Sequence, residues 1–177
     1  MRKIHALNLE LEKVATNLNY LISSKKCKTL IVVSDKKGEG KTTFISSISP
    51  LLNSIYSKRV LVINREISQD DNIKDLLKVK ESSTFIKETA FKGVDYFAIT
   101  SDDSVLGLEE SADFYDLILI NTITKRKSDN LNVPKLHIDG AIVLKSKSTL
   151  NDKDGDIVKT ILDQNIPIVG VLFNGGL

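Results

Sequence analysis

Thr29-Leu30-Ile31-Val32-Val33-Ser34-Asp35-Lys36-Lys37-Gly38-Glu39-Gly40-Lys41-Thr42-Thr43 is the stretch that decides the fold. Thr29 to Val33 is a short apolar run rich in β-branched residues, the mark of a strand covered on both faces. A glycine-containing loop follows at once, and Thr43 to Tyr56 reads as a helix. Strand, glycine loop, Lys-Thr and helix is the context in which backbone N–H groups and a helix N-terminus form a nest for phosphate. Gly38 and Gly40 let that backbone curl around an anion without side-chain clashes. Lys41 places a cation near the β- and γ-phosphates of a nucleotide, the Thr42 hydroxyl suits a magnesium ion, and Thr43 offers one more hydrogen bond. The full pattern has a glycine five residues before Gly40, where Asp35 stands. The bland alternative is a glycine turn followed by Lys-Thr by chance.

Working outward, Leu7, Leu11, Val14, Leu18 and Leu21 recur every three or four residues, so Leu7 to Leu21 reads as an amphipathic helix. Pro50 predicts a kink or an interruption in the helix after the loop. Val60 to Ile63, Val94 to Ile99, Leu117 to Ile120, Ala141 to Leu144 and Ile168 to Phe173 read as further strands. Asn72 to Val79 and Asp152 to Gln164 read as helices between them. The stretches 101–111 and 122–137 are polar and read as loops with short helices. This alternation predicts a doubly wound α/β fold, a mostly parallel central sheet with helices on both faces and right-handed crossovers. The whole chain, 1–177, reads as a single phosphate-binding domain, with 1–25 as an N-terminal helical segment before the first strand.

Composition narrows the partners. The chain has 177 residues, 41% hydrophobic and 27% charged, with 25 Lys and Arg against 23 Asp and Glu. A net charge of +2 argues for neither a nucleic-acid surface nor an acidic membrane, so no nucleic acid is expected. The basic clusters Lys25-Lys26-Cys27-Lys28 and Lys125-Arg126-Lys127 read as solvated loops, with contact to an anionic partner as the alternative. Cys27 is the single cysteine and cannot form an internal disulfide, which fits a reducing cytoplasm. No apolar run nears the roughly 20 residues of a membrane helix, and no signal-peptide core is visible, so membrane association is expected only through a partner. His5 and His137 lack metal-spaced companions. Tyr20 and Tyr115 fall in apolar patterns and read as core.

The stretch Ser34 to Thr43 resembles the deviant Walker A loop of the ParA/MinD class of P-loop proteins. Within that class it is most similar to the cytoplasmic domains of bacterial tyrosine kinases (BY-kinases) of capsule and exopolysaccharide synthesis. Their loop typically reads Ser-x-x-Pro-Gly-Glu-Gly-Lys-Ser/Thr, with Lys37 here at the proline place. Lys36 stands where partitioning ATPases carry a signature lysine that reaches across a dimer. The resemblance continues through Glu12 to Tyr20, through Tyr115 to Thr122 at the Walker B strand, through Asp139 to Leu144, and through Gly170 to Asn174. It implies the P-loop NTPase fold and ATP or ADP with Mg²⁺ as cofactors. It also implies a nucleotide site made of Lys36, Lys37, Gly38, Glu39, Gly40, Lys41, Thr42, Thr43 and Asn174. Asn174 would lie on the base side.

The departures from that family fall on the chemistry. Its Walker A′ strand ends in Asp-x-Asp-x-Arg, where this chain reads Asn64-Arg65-Glu66-Ile67-Ser68. Its Walker B strand ends in Asp, where this chain has Asn121. A carboxylate gives a divalent ion full negative charge and can accept a proton, whereas an amide gives a dipole and no basic site. The metal site is therefore expected to be weakened, with Thr42 as its remaining ligand and Asn64 and Asn121 at the expected Asp positions. The alternative is that both asparagines merely end buried strands. Lys41 and Glu66 are the catalytic candidates, with Asp70 and Asp71 near in sequence. The places of the family's ring-forming Glu-x-x-Arg-x-x-Arg hold Leu9, Glu12 and Ala15, and no tyrosine-rich tail follows Phe173.

The resemblance thus implies a nucleotide-binding, catalytically impaired, regulatory protein, in effect a pseudokinase. Its partner would be a membrane-bound polysaccharide chain-length regulator, and homo-oligomers are allowed. An active ATPase or autokinase using Glu66 is the alternative, and a ParA/MinD-type positioning ATPase using Lys36 is a further one.

Overall fold

The computed structural model describes residues 2–24, 26–36, 38–65, 72–99, 108–122, 136–146 and 157–174; of residues 2–9 and 174 it describes the backbone alone. Five helices and seven strands lie in these residues. They are α1 (Arg2–Ser23), β1 (Thr29–Ser34), α2 (Lys41–Tyr56), β2 (Val60–Asn64), α3 (Ile73–Leu77), β3 (Lys87–Glu88), β4 (Val94–Ala98), α4 (Leu108–Ala112), β5 (Leu117–Asn121), β6 (Gly140–Ser146), α5 (Ile157–Asp163) and β7 (Ile168–Asn174). The sheet order is β3-β4-β2-β5-β1-β6-β7. Every pairing is parallel except that of the two-residue edge strand β3 with β4, which sequence patterning does not anticipate.

Full burial of β1, β2 and β5 explains their unbroken apolar runs. Alternate residues feed opposite layers, because successive strand side chains point to opposite faces. Leu30, Val32, Val60, Val62, Leu117, Leu119, Ile142 and Leu144 pack against α1, α2 and α3. Ile31, Val33, Leu61, Ile63, Ile118, Ile120, Ala141 and Val143 pack on the other face with Leu108 of α4 and with Ile157 and Ile161 of α5. This is the doubly wound arrangement expected from the sequence.

Two aspartates close the amino ends of the strands. Asp139, just before β6, accepts hydrogen bonds from the backbone N–H of Lys28 and Thr29 at 2.7 and 2.8 Å. Asp116, just before β5, accepts one from Arg59 at 2.8 Å. Both lie at the end of the sheet away from the glycine loop, so their work is structural.

Three expectations need correction. Of the kink or interruption expected at Pro50, the interruption does not occur, and helix α2 runs through it. The ring removes one backbone donor, but the turns on either side keep theirs, and the buried Ile45, Ile48 and Leu52 hold the helix against the sheet. Tyr20 is 67% exposed rather than core. In α1 the inward face is Leu11, Val14, Ala15, Leu18, Leu21 and Ile22, and a helix of 3.6 residues per turn carries position 20 away from it. Tyr115, by contrast, is buried. The short helix between β2 and β4 covers Ile73–Leu77, ending where Lys78 turns left-handed at φ 50°. Among the described residues no helix is long and apolar enough to cross a membrane.

Candidate functional site

Four parallel strands deliver their carboxyl ends to one edge of the sheet: β2 with Asn64, β5 with Asn121, β1 with Ser34 and β6 with Ser146. The glycine loop leaves β1 at this edge, and α2 begins at Lys41. Gly38 and Gly40 hold φ of +88° and +94°, left-handed values that L side chains rarely adopt. Gly40 is also the N-cap of α2, its carbonyl accepting from Phe44 N–H at 2.8 Å. The cap uses no side chain, which leaves the first backbone N–H groups of a 16-residue helix for a ligand.

Two carboxylates fasten the loop from behind. Glu39 is buried; one oxygen accepts from Lys36 N–H at 2.9 Å, and the other from Ser146 N–H at 3.1 Å and Ser146 Oγ at 3.0 Å. Asp35, at the place of the missing glycine, turns its side chain away from the loop. Its oxygens meet Lys145 Nζ at 3.3 Å and Ile157 N–H, in the first turn of α5, at 2.8 Å. That orientation lets an acidic residue stand where the pattern has glycine. Lys41 is buried, and its ammonium donates to Ser34 Oγ at 3.1 Å; Ser34 Oγ in turn donates to the Lys36 carbonyl at 2.9 Å. Thr42 is half-buried in the first turn of α2, and Lys36 and Thr43 are exposed.

At the ends of β2 and β5, Asn64 and Asn121 are direct register partners. Asn121 Nδ2 donates to Asn64 Oδ1 at 3.0 Å, and Asn64 Nδ2 donates to the Tyr96 hydroxyl at 3.4 Å. The two amides are 3% and 0% exposed. Asn121 Oδ1 is buried with no hydrogen-bond partner among the described residues. Thr122, the next residue, donates its hydroxyl to the Val32 carbonyl at 3.2 Å, tying β5 to β1 beside the loop.

Of the residues expected at the site, Lys36, Gly38, Glu39, Gly40, Lys41, Thr42, Thr43, Asn64 and Asn121 gather at this edge. Asn174 ends β7 on the same edge through its pairing with Ser146, its side chain outside the described residues. Lys37, Glu66, Asp70 and Asp71 lie outside the described residues, as does the Lys125–Lys127 cluster. Sequence reading missed Ser34, Lys145, Ser146 and Tyr96 as neighbours of the site. The break in the glycine pattern at Asp35 was the one available signal, since a charged residue in a tight loop needs a partner.

The fold family implies a magnesium ion, and beyond the Thr42 hydroxyl the described residues fit one poorly. Magnesium favours carboxylate oxygens. Asp35 and Glu39, the acids of the loop itself, are bound to Lys145, Ile157, Lys36 and Ser146. The strand ends offer Asn121 Oδ1, a neutral amide oxygen, while Asn64 Oδ1 is taken by its partner. Among the described residues no group of three or more His, Cys, Asp or Glu could hold a metal.

The loop between β1 and α2, with its parallel sheet and helices on both faces, defines the P-loop NTPase fold. Within it, the chain is similar in structure to tyrosine kinase domains. The BceF tyrosine kinase domain superposes with a TM-score of 0.65 at 17% identity, covering 93% of this chain and 76% of that one. The kinase domain of Escherichia coli tyrosine kinase ETK gives 0.66 at 15% identity, covering 93% and 74%. FlhF complexed with GMPPNP and Mg²⁺ gives 0.56 at 13% identity, covering 83% and 55%. At these identities the likeness is one of fold. In sequence, the chain is 21% identical over 175 residues to the signal recognition particle protein of Haemophilus influenzae. That match takes in 92% of this chain and 36% of that protein, so the chain spans about a third of this relative's length. No protein-family model matches the chain.

Proposed function

We propose that this chain binds a nucleotide, ATP or ADP, in its P-loop and turns it over poorly, acting as a regulatory partner rather than a kinase. The observation that carries the reading is a glycine loop with a buried Lys41 next to a pair of amides, Asn64 and Asn121, where carboxylates are expected. The loop backbone, the start of α2 and Lys41 supply charge complementarity to phosphate. Among the described residues the strand ends supply no base. Loss of a positioned acid–base group costs typically 10²–10⁴-fold in rate.

FlhF, of the same fold, holds GMPPNP with Mg²⁺, which supports nucleotide as the ligand class. The likeness to tyrosine kinase domains supports a role beside the machinery those domains serve, on the resemblance above capsule or exopolysaccharide assembly. In that role the chain would be cytoplasmic and meet the membrane through a chain-length regulator. The intact Gly38–Thr43 loop favours a second reading, ranked below the first, an active ATPase or autokinase using Glu66.

Calorimetric titration of ADP and ATP against wild type and Lys41→Ala, with a turnover assay beside it, separates them. Binding lost at least tenfold in Lys41→Ala with negligible turnover is expected. Turnover at ordinary kinase rates, about 1–100 s⁻¹, would sink the regulatory reading. Wild type that binds neither nucleotide would sink both.

A further inference from the structure

The strand ends that flank the P-loop are closed by a hydrogen bond rather than by charge. Asn64 and Asn121 face one another across β2 and β5, with Asn121 Nδ2 on Asn64 Oδ1 at 3.0 Å. Both side chains are buried, and Asn64 is braced from behind by the Tyr96 hydroxyl at 3.4 Å, itself on a residue 1% exposed. Two carboxylates at that separation repel, and a shared cation or proton is what relieves them. Two amides need neither, because each carries both a donor and an acceptor. The pair is held in register by flanking backbone bonds, Arg65 N–H to the Asn121 carbonyl at 3.0 Å and Ile99 N–H to the Asn64 carbonyl at 2.9 Å. The arrangement is therefore complete with the protein's own atoms, apart from the single neutral oxygen of Asn121.

We propose that the Asn64–Asn121 bridge stands in for a divalent cation, so that this site takes a nucleoside diphosphate without Mg²⁺. The ligand half of this statement rests on the nucleotide reading above; the bridge half does not. Lys41, the loop amides and the start of α2 then meet the phosphates, and the strand ends contribute shape and rigidity instead of charge.

Thermal unfolding of wild type and Asn64→Asp/Asn121→Asp, each in chelator and in millimolar MgCl₂, tests the bridge without nucleotide. Wild type is expected to melt at one temperature in both. The double variant is expected to melt several degrees lower in chelator and to recover with Mg²⁺, since an ion that binds only the folded state raises the midpoint. A wild-type midpoint that climbs with Mg²⁺, or a folded double variant indifferent to the ion, overturns the proposal. Should the double variant fail to fold in chelator, its refolding on adding Mg²⁺ supports the proposal. If it stays unfolded, the wild-type melts and the single variant Asn121→Asp, expected to melt lower in chelator, decide.

ADP titration of wild type tests the ligand half. Affinities in chelator and in Mg²⁺ are expected to agree within about threefold, under 1 kcal/mol; a tenfold or greater gain with Mg²⁺ overturns it. Wild type that binds no ADP in either buffer refutes the nucleotide reading, and the melts still decide the bridge.

Discussion

Replacing Asp35 with alanine strips the glycine loop of its attachment to β6 and α5. The Asp35 side chain is 3% exposed and holds two partners, Lys145 Nζ at 3.3 Å and the Ile157 N–H at 2.8 Å. Breaking a fully buried ion pair by removing one partner costs about 3–5 kcal/mol. Lys145 is 20% exposed and keeps some access to water, so the charge part falls to about 2–3 kcal/mol. Loss of the side-chain cap on α5 adds about 1 kcal/mol. The sum, about 3–4 kcal/mol, corresponds for a chain of this size to a fall of roughly 6–16 °C in the unfolding midpoint. Asp35→Asn keeps an acceptor for Ile157 and loses only the charge, so it should be milder by about the cap energy. Urea and thermal denaturation followed by circular dichroism measure the free energy and the midpoint shift, and a cycle with Lys145→Met isolates the pair. Asp35→Ala within about 0.5 kcal/mol of wild type, the range of ordinary surface changes, would refute the reasoning. So would Asp35→Ala and Asp35→Asn of equal stability, for the cap.

Pro50→Ala should stabilise the protein by about 1–2 kcal/mol: an interior helix proline is about 3 kcal/mol worse than alanine, offset in part by the freer unfolded chain. Urea midpoints check it, and a loss would mean that packing of the half-buried ring outweighs the missing hydrogen bond. The Tyr115 phenol is pushed well above its ordinary value, first by burial, then by its 2.8 Å hydrogen bond to Asp95 and that group's charge, with Arg59 opposing. The folded state therefore keeps this proton when the unfolded chain has lost it. The resulting stability is complete below about pH 10 and drains as pH rises above it, by at most about 1.4 kcal/mol per pH unit. Tyr115→Phe should flatten that decline at a cost of about 1 kcal/mol near neutrality, seen in denaturation series from about pH 8 to 11.

Much of the fold was legible because its signals are local. The buried runs at Thr29, Val60, Leu117 and Ala141 have apolar side chains on both faces, as a parallel sheet covered by helices requires, and the glycine loop and helical stretches between them point the same way. Strand β3 was not legible: two residues, Lys87 and Glu88, pair with β4 through backbone atoms that leave no mark on side-chain pattern. Tyr20 misled because it lies within the span of an amphipathic pattern beside Leu21, although 3.6 residues per turn carry it to the face opposite Leu11, Val14 and Leu18.

The amino-acid order by itself determined that a glycine loop would sit between a buried strand and a helix, with Lys41 at its end, and that amides would replace acids at residues 64 and 121. These are properties of neighbours in the chain, set by backbone freedom and side-chain chemistry. Tertiary structure alone decided that residues 64 and 121, far apart in sequence, meet at 3.0 Å, that Tyr96 braces them, and that Asp35 and Glu39 are spent on Lys145, Ser146 and α5. The reason is that parallel strands pair across long crossovers. Which side chains share the carboxyl edge depends on strand order and register, and these are fixed by packing of the two layers rather than by any stretch of sequence.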